Sequence, residues 1–140
     1  MVNPTPSRIG QMLLGLFFAL IGIGLLGIAV DLALDQHAFL ARAQTADGVV
    51  SRLNAGGSHP EIAFVTGSGE RISYPQGGFI FGYRQGRPVR VLYLPEEPAL
   101  SAVVDDPGAL WDMPGMLGCI GLGFTIFGLA DALRRHGRGA

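Results

Sequence analysis

Residues 22–27 read GIGLLG, the G-x-G-x-x-G spacing of a dinucleotide-binding loop, in which glycines let the backbone approach a pyrophosphate at a helix N-terminus. Asp47 follows 20 residues after Gly27, near the place of an acidic ribose-binding residue. Ser58, His59 and Glu61 supply the residue types of a nucleophile, a base and an orienting carboxylate, and Asp105 with Asp106 forms a carboxylate pair. Each of these chemistries demands a support. A dinucleotide loop needs a strand that ends in a turn and a helix that starts there; a nucleophile needs its base within hydrogen-bond reach. The stretch ahead of Gly22 is QMLLGLFFALI, part of one apolar run with neither strand nor turn. The segment NAGGSHPE is a Gly-rich connection of the kind that carries exposed polar residues. His37, His59 and His136 lie far apart, with no second ligand at helical spacing for a zinc ion. No catalytic, metal-binding or cofactor-binding residue is assigned, and no cofactor is expected.

The elements that carry these residues point elsewhere. Residues 9–30 hold no charge, and residues 113–130 hold none either. About 20 apolar residues span a hydrocarbon core of ~30 Å, so the first run qualifies as a membrane span directly. The second reaches that length if it extends to Leu133, with Asp131 at headgroup level. The fold expected is membrane α+β: two transmembrane helices flanking a small five-stranded antiparallel β barrel or rolled sheet of SH3-like or OB-like size. In chain order this gives a cytoplasmic tail (1–8), a first span (9–34), a helical stalk (35–44), an extracytoplasmic β domain (45–106), a connector (107–112), a second span (113–133) and a basic cytoplasmic tail (134–140).

All ten basic residues are Arg, and the formal net charge is −1. Arg134, Arg135 and Arg138 follow the second span and Arg8 precedes the first, whereas Glu96, Glu97, Asp105, Asp106 and Asp112 crowd the far side. The positive-inside rule puts both termini in the cytoplasm and the middle section outside, in the periplasm if the membrane is a bacterial inner membrane. That acidic middle section offers no basic stripe, so nucleic acid is not an expected partner. The single cysteine, Cys119, excludes an intrachain disulfide.

Within the middle section, DGVVSRLN alternates Val49 and Leu53 on one side with Arg52 and Asn54 on the other, as a half-exposed strand does. EIAFV and ERISY flank the TGSG turn as a hairpin, VRVLYL is the most β-like run, and ALSAVVD (99–105) is read as a fifth strand. Trp111 stands where an aromatic anchor meets the membrane interface. Phe79, Ile80, Phe81 and Tyr83 form a dense apolar cluster among glycines, with Arg84 and Arg87 beside it. Three readings stand for it: a plug for the end of the sheet, a contact with the outer leaflet, or the centre of an interaction patch rimmed by the two arginines. In the spans, Gly15, Ala19 and Gly22, and likewise Gly115, Cys119 and Gly123, place small residues on one helix face. These faces suit packing between the two spans; a second reading is packing between chains into a homo-oligomer.

Placed in order, A-x-A-D-G-V-V, the F-x-x-x-x-G hairpin at Phe64 and Gly69, and the segment through Gly86, Val89, Val91, Tyr93, Pro95, Pro98 and Ser101–Ala102 resemble the DUF3592 family of bacterial membrane proteins. Gly48 and Val50 fall on that family's first-strand motif, and Leu94 departs from it where the family often carries Asp. The resemblance implies an extracytoplasmic β domain on two helices and no established activity, with accessory or immunity-type roles among relatives. The expected function is therefore a non-enzymatic integral membrane protein that presents its β domain to another envelope protein, with the lipid bilayer as its other partner. An envelope enzyme or lipid-handling protein is one alternative, and a small subunit of a larger membrane complex is another.

Overall fold

The computed structural model describes residues 7–54 and 59–136, so Ser58, Arg138 and the first six residues lie outside the described part. The chain runs α1 (Arg8–Arg42), β1 (Gln44–Asn54), β2 (His59–Val65), β3 (Arg71–Pro75), β4 (Pro88–Tyr93), α2 (Pro98–Ser101), β5 (Val103–Val104), α3 (Pro107–Leu110) and α4 (Asp112–His136). It divides into two compact units, one formed by α1 up to Leu32 with α4 from Pro114, the other by Ala33–Met113. Both α1 and α4 are long and apolar enough to cross a membrane.

In the helical unit the two helices meet through small residues. A side chain at Gly15 would come within 2.9 Å of the Gly128 carbonyl, and one at Gly22 would overlap the Thr125 backbone. Ala19 is buried, and a side chain at Gly128 would overlap its backbone. On α4 the contact face is therefore Gly121, Thr125, Gly128 and Ala132. The face expected from sequence, Gly115, Cys119 and Gly123, lies elsewhere: both glycines have open space beside them, and Cys119 is exposed. Helical periodicity draws several small-residue stripes on a Gly-rich helix, and close approach selects only one of them.

In the β unit the sheet order is β3-β2-β1-β4-β5, antiparallel throughout. The sheet is curled but open, half of a barrel, because β3 and β5 remain edges. The Gln76 side chain bridges that gap: its Oε1 accepts from the Val104 N–H at 2.8 Å and from the Tyr74 hydroxyl at 3.1 Å. The core gathers Val50, Ile62, Phe64, Ile72, Tyr74, Val91, Tyr93 and Val104 on the inner face. Phe64 packs against Tyr74 edge to face, with ring centroids 6.1 Å apart, and lies 5.4 Å from Tyr93.

The fifth strand is shorter than expected. Only Val103 and Val104 pair with β4, and residues 98–101 wind into a helical turn instead. Pro98 suits the first position of that turn. The Ser101 hydroxyl then fixes it, donating to the Glu97 carbonyl at 2.7 Å and accepting from the Leu94 N–H at 2.8 Å.

Candidate functional site

The segment between β3 and β4 sorts the apolar cluster of residues 79–83 into two sets. Ile80 and Tyr83 turn into the core. Phe79 and Phe81 turn out, 59% and 82% exposed. The backbone performs this sorting. Gly78 and Gly82 both take positive φ, at 100° and 73°, a region that side-chain-bearing residues rarely adopt, and so they re-aim the chain on either side of the cluster. Gly78 also passes so close to α3 that a side chain there would meet the Gly108 carbonyl at 2.7 Å.

Two tethers hold the loop. The Phe79 N–H donates to the Gly108 carbonyl at 2.8 Å. The Tyr83 hydroxyl donates to Asp106 Oδ2 at 2.8 Å, while Asp106 Oδ1 caps α3 by accepting from the Gly108 N–H at 2.8 Å. Burial pushes the Tyr83 phenol up to about 12, and its bond to Asp106 adds to the shift. Burial raises Tyr74 as well, chiefly by desolvation. The Arg87 guanidinium lies over the Tyr83 ring, 4.8 Å from its centroid, and donates to the Gly82 carbonyl at 3.2 Å. Arg84 is exposed. Trp111 is half-buried, its ring 5.1 Å from the His37 ring on the stalk part of α1.

A second surface was not singled out by sequence reasoning. The outward face of β1, β2 and β3 forms an open groove of about 490 Å³ lined by Asp47, Val49, Ala63, Val65, Arg71 and Ser73. Val49 and Val65 are 39% and 49% exposed there. Strand register creates this surface: Val49 lies opposite Ala63, Ala63 opposite Ser73, and Val65 opposite Arg71. The signal in the sequence was the apolar Val49 and Val65 on the side of the strands away from Val50 and Phe64.

The residues whose types suggested chemistry are dispersed. Glu61 serves as a structural hub on the outer face: it accepts from Asn54 at 3.1 Å and Ser73 at 2.9 Å, and it faces Arg52 at 3.9 Å. His59 begins β2 opposite Asn54, and Asp47 faces Arg90 across the β1–β4 pair, near the other end of β1. Asp105 lies 3.7 Å from Arg90, whereas Asp106 is bound to Tyr83. The carboxylate pair is thus split between two structural roles.

Over 133 residues the chain is 53% identical to the immune protein Tsi4 of Pseudomonas aeruginosa, a match that covers 95% of this chain and 92% of that protein. The chain belongs to the Tsi4 family of immune proteins. A Tsi4-family protein is not an enzyme, and the role is of the immunity type. No family model matches the chain, and no solved structure does. The resemblance to the DUF3592 family is corrected accordingly: its model does not match, and the Tsi4 relationship takes its place. The residues that carried the resemblance explain the error. Gly48, Val50, Phe64 and Val91 are strand positions, and Gly69 closes a hairpin turn by donating its N–H to the Thr66 carbonyl at 2.9 Å. Such positions recur wherever two strands meet at a Gly-rich turn.

Proposed function

We propose that this Tsi4-family protein neutralises a toxin by binding it, from a position anchored in the inner membrane. The observation that carries the reading is the extent of the relationship, 53% identity across nearly the whole of both chains. An immune protein of this size without catalysis acts by occupying a surface of its target. The outward face of β1–β3 suits that role, since Val49, Ala63 and Val65 supply an apolar floor and Asp47 and Arg71 supply opposite charges at its edge. Exposed apolar surface with a charged rim is the usual composition of a docking site.

In the same reading α1 and α4 cross the membrane, both termini are cytoplasmic and the β unit faces the periplasm. The two apolar helices and the arginines beyond them support this placement. Alkaline phosphatase fused after Thr66 should be active, and the same enzyme fused at the C-terminus inactive; the reverse pattern overturns the orientation. Toxin binding is tested by affinity capture of the full chain from native membranes, with Val65→Arg as the comparison. A protein that co-purifies with the unaltered chain, and drops at least tenfold with the variant, supports the groove. Equal capture by both places the toxin elsewhere.

A further inference from the structure

Phe79 and Phe81 are large, outward and held on a tethered loop, and nothing in the β core requires them to be exposed. Their position in the β unit identifies what they meet. The chain leaves this unit at two points, Ala33 and Met113. Phe79 is hydrogen-bonded to Gly108, which stands four residues before Asp112, the first residue of α4. Four residues reach at most about 14 Å even when fully extended. From the other point, His37 lies four residues beyond Ala33, about 6 Å of helical rise, and its ring meets Trp111 at 5.1 Å. Two parts of the chain therefore put the anchor of this loop near the two points where the chain leaves the β unit.

The opposite end of the sheet differs. There Gln44 lies opposite Tyr93, Arg42 lies 4.0 Å from Glu96, and Glu70, Arg71 and Glu97 are exposed, a margin of mixed charge without exposed aromatic rings among the described residues. At the loop end, among the described residues, neither Arg84 nor Arg87 forms an ion pair, while the Asp106 carboxylate is engaged by the Tyr83 hydroxyl and the Gly108 N–H. Aromatic rings beside arginines are the composition of a membrane–water interface, where rings sit at headgroup depth and guanidinium groups reach phosphate.

We propose that Phe79 and Phe81 insert into the surface of the bilayer that α1 and α4 cross, with Arg84 and Arg87 on anionic headgroups, so that the loop acts as a third membrane contact of the β unit. The proposal rests on the membrane placement given above.

The test uses the full chain reconstituted in vesicles of phosphatidylcholine and phosphatidylglycerol, with an environment-sensitive fluorophore at one cysteine and nitroxide-labelled lipid as quencher. Three probes are compared: Phe81→Cys and Leu100→Cys, each in a Cys119→Ser background, and Cys119 of the unaltered chain. Phe81 and Leu100 are 82% and 85% exposed, so neither change disturbs the core. Shallow nitroxide should quench the probe at position 81 at least twofold more than the probe at position 100. Replacing phosphatidylglycerol by phosphatidylcholine should reduce that difference; an unchanged difference overturns the role of the two arginines. Quenching at Cys119 with none at position 81 overturns the loop contact and leaves the membrane helices standing. No quenching at Cys119 overturns the membrane placement itself, and the loop contact with it. A probe at position 81 that is shielded only when the toxin is added overturns lipid as the occupant in favour of protein.

Discussion

The two units of the molecule solve the same packing problem with opposite materials. In the β unit large side chains go inward: Ile62, Phe64, Tyr74 and Tyr93 fill the curled sheet, and Ile62 has no exposed surface at all. In the helical unit small residues go inward and large ones outward. Gly15, Ala19 and Gly22 are buried, while Leu13, Phe17, Leu20 and Ile23 face away from the partner helix. Water drives the first arrangement, since each buried apolar side chain gains by leaving it. In lipid that drive is absent between helices, and close backbone approach with van der Waals contact takes over. The inversion supports the proposal that α1 and α4 lie in a bilayer and the β sheet in water.

That contrast can be broken from the side of the sheet first. Ile62→Ala removes a fully buried side chain and should cost about 2–5 kcal/mol, read as a lowered midpoint of the β-sheet transition in urea. In the helical unit enlarging a residue should do the damage that shrinking one does in the sheet. Gly22→Leu should cost roughly 1–3 kcal/mol of helix pairing, whereas Gly24→Leu, with open space beside it, should leave it unchanged. Thermal unfolding in detergent or nanodiscs checks the pair. Equal sensitivity at both glycines would remove the contrast.

A smaller effect sharpens the loop end of the sheet. Tyr83→Phe deletes the bond to Asp106 and should cost about 1 kcal/mol in equilibrium unfolding. The same phenol predicts alkaline behaviour. Its folded-state pKa is raised from 10 to about 12, so the stability it contributes is intact below pH 10 and is lost as pH climbs through about 12. Tyr74 shifts in the same direction. Unfolding curves from pH 9 to 12 should therefore fall, and fall less steeply in Tyr83→Phe. The smallest change is expected at Phe81→Ser, within about 0.5 kcal/mol of the unaltered chain, because the ring is outside the core.

Much of this architecture was legible in the residues. Alternation located the strands in EIAFV and ERISY, and the β-like run VRVLYL located another; DGVVSRLN located the strand but not its face, since Val50 is buried while Val49 and Leu53 are each 39% exposed. The fifth strand lies within ALSAVVD as expected but keeps only Val103 and Val104, because Pro98 and Ser101 capture the preceding backbone in a helical turn, which alternation cannot register. The contact face of α4 failed for a different reason: with glycine at five positions between 115 and 128, periodicity offers several faces and only the partner helix chooses. At the aromatic cluster the residue types were visible, but their separation into core and surface depends on backbone angles at Gly78 and Gly82. The groove on β1–β3 needed the register of three strands, which no local pattern contains.

Protection by this Tsi4-family protein comes, in the reading proposed above, from binding a toxin through the β unit. The decisive measurement takes the protein captured from native membranes, expresses it alone in a susceptible host, and follows growth with and without this chain. Growth should arrest, and the unaltered chain should relieve the arrest while Val65→Arg does not. A captured protein that is harmless alone, or an arrest that the chain fails to relieve, would contradict toxin binding as the basis of protection.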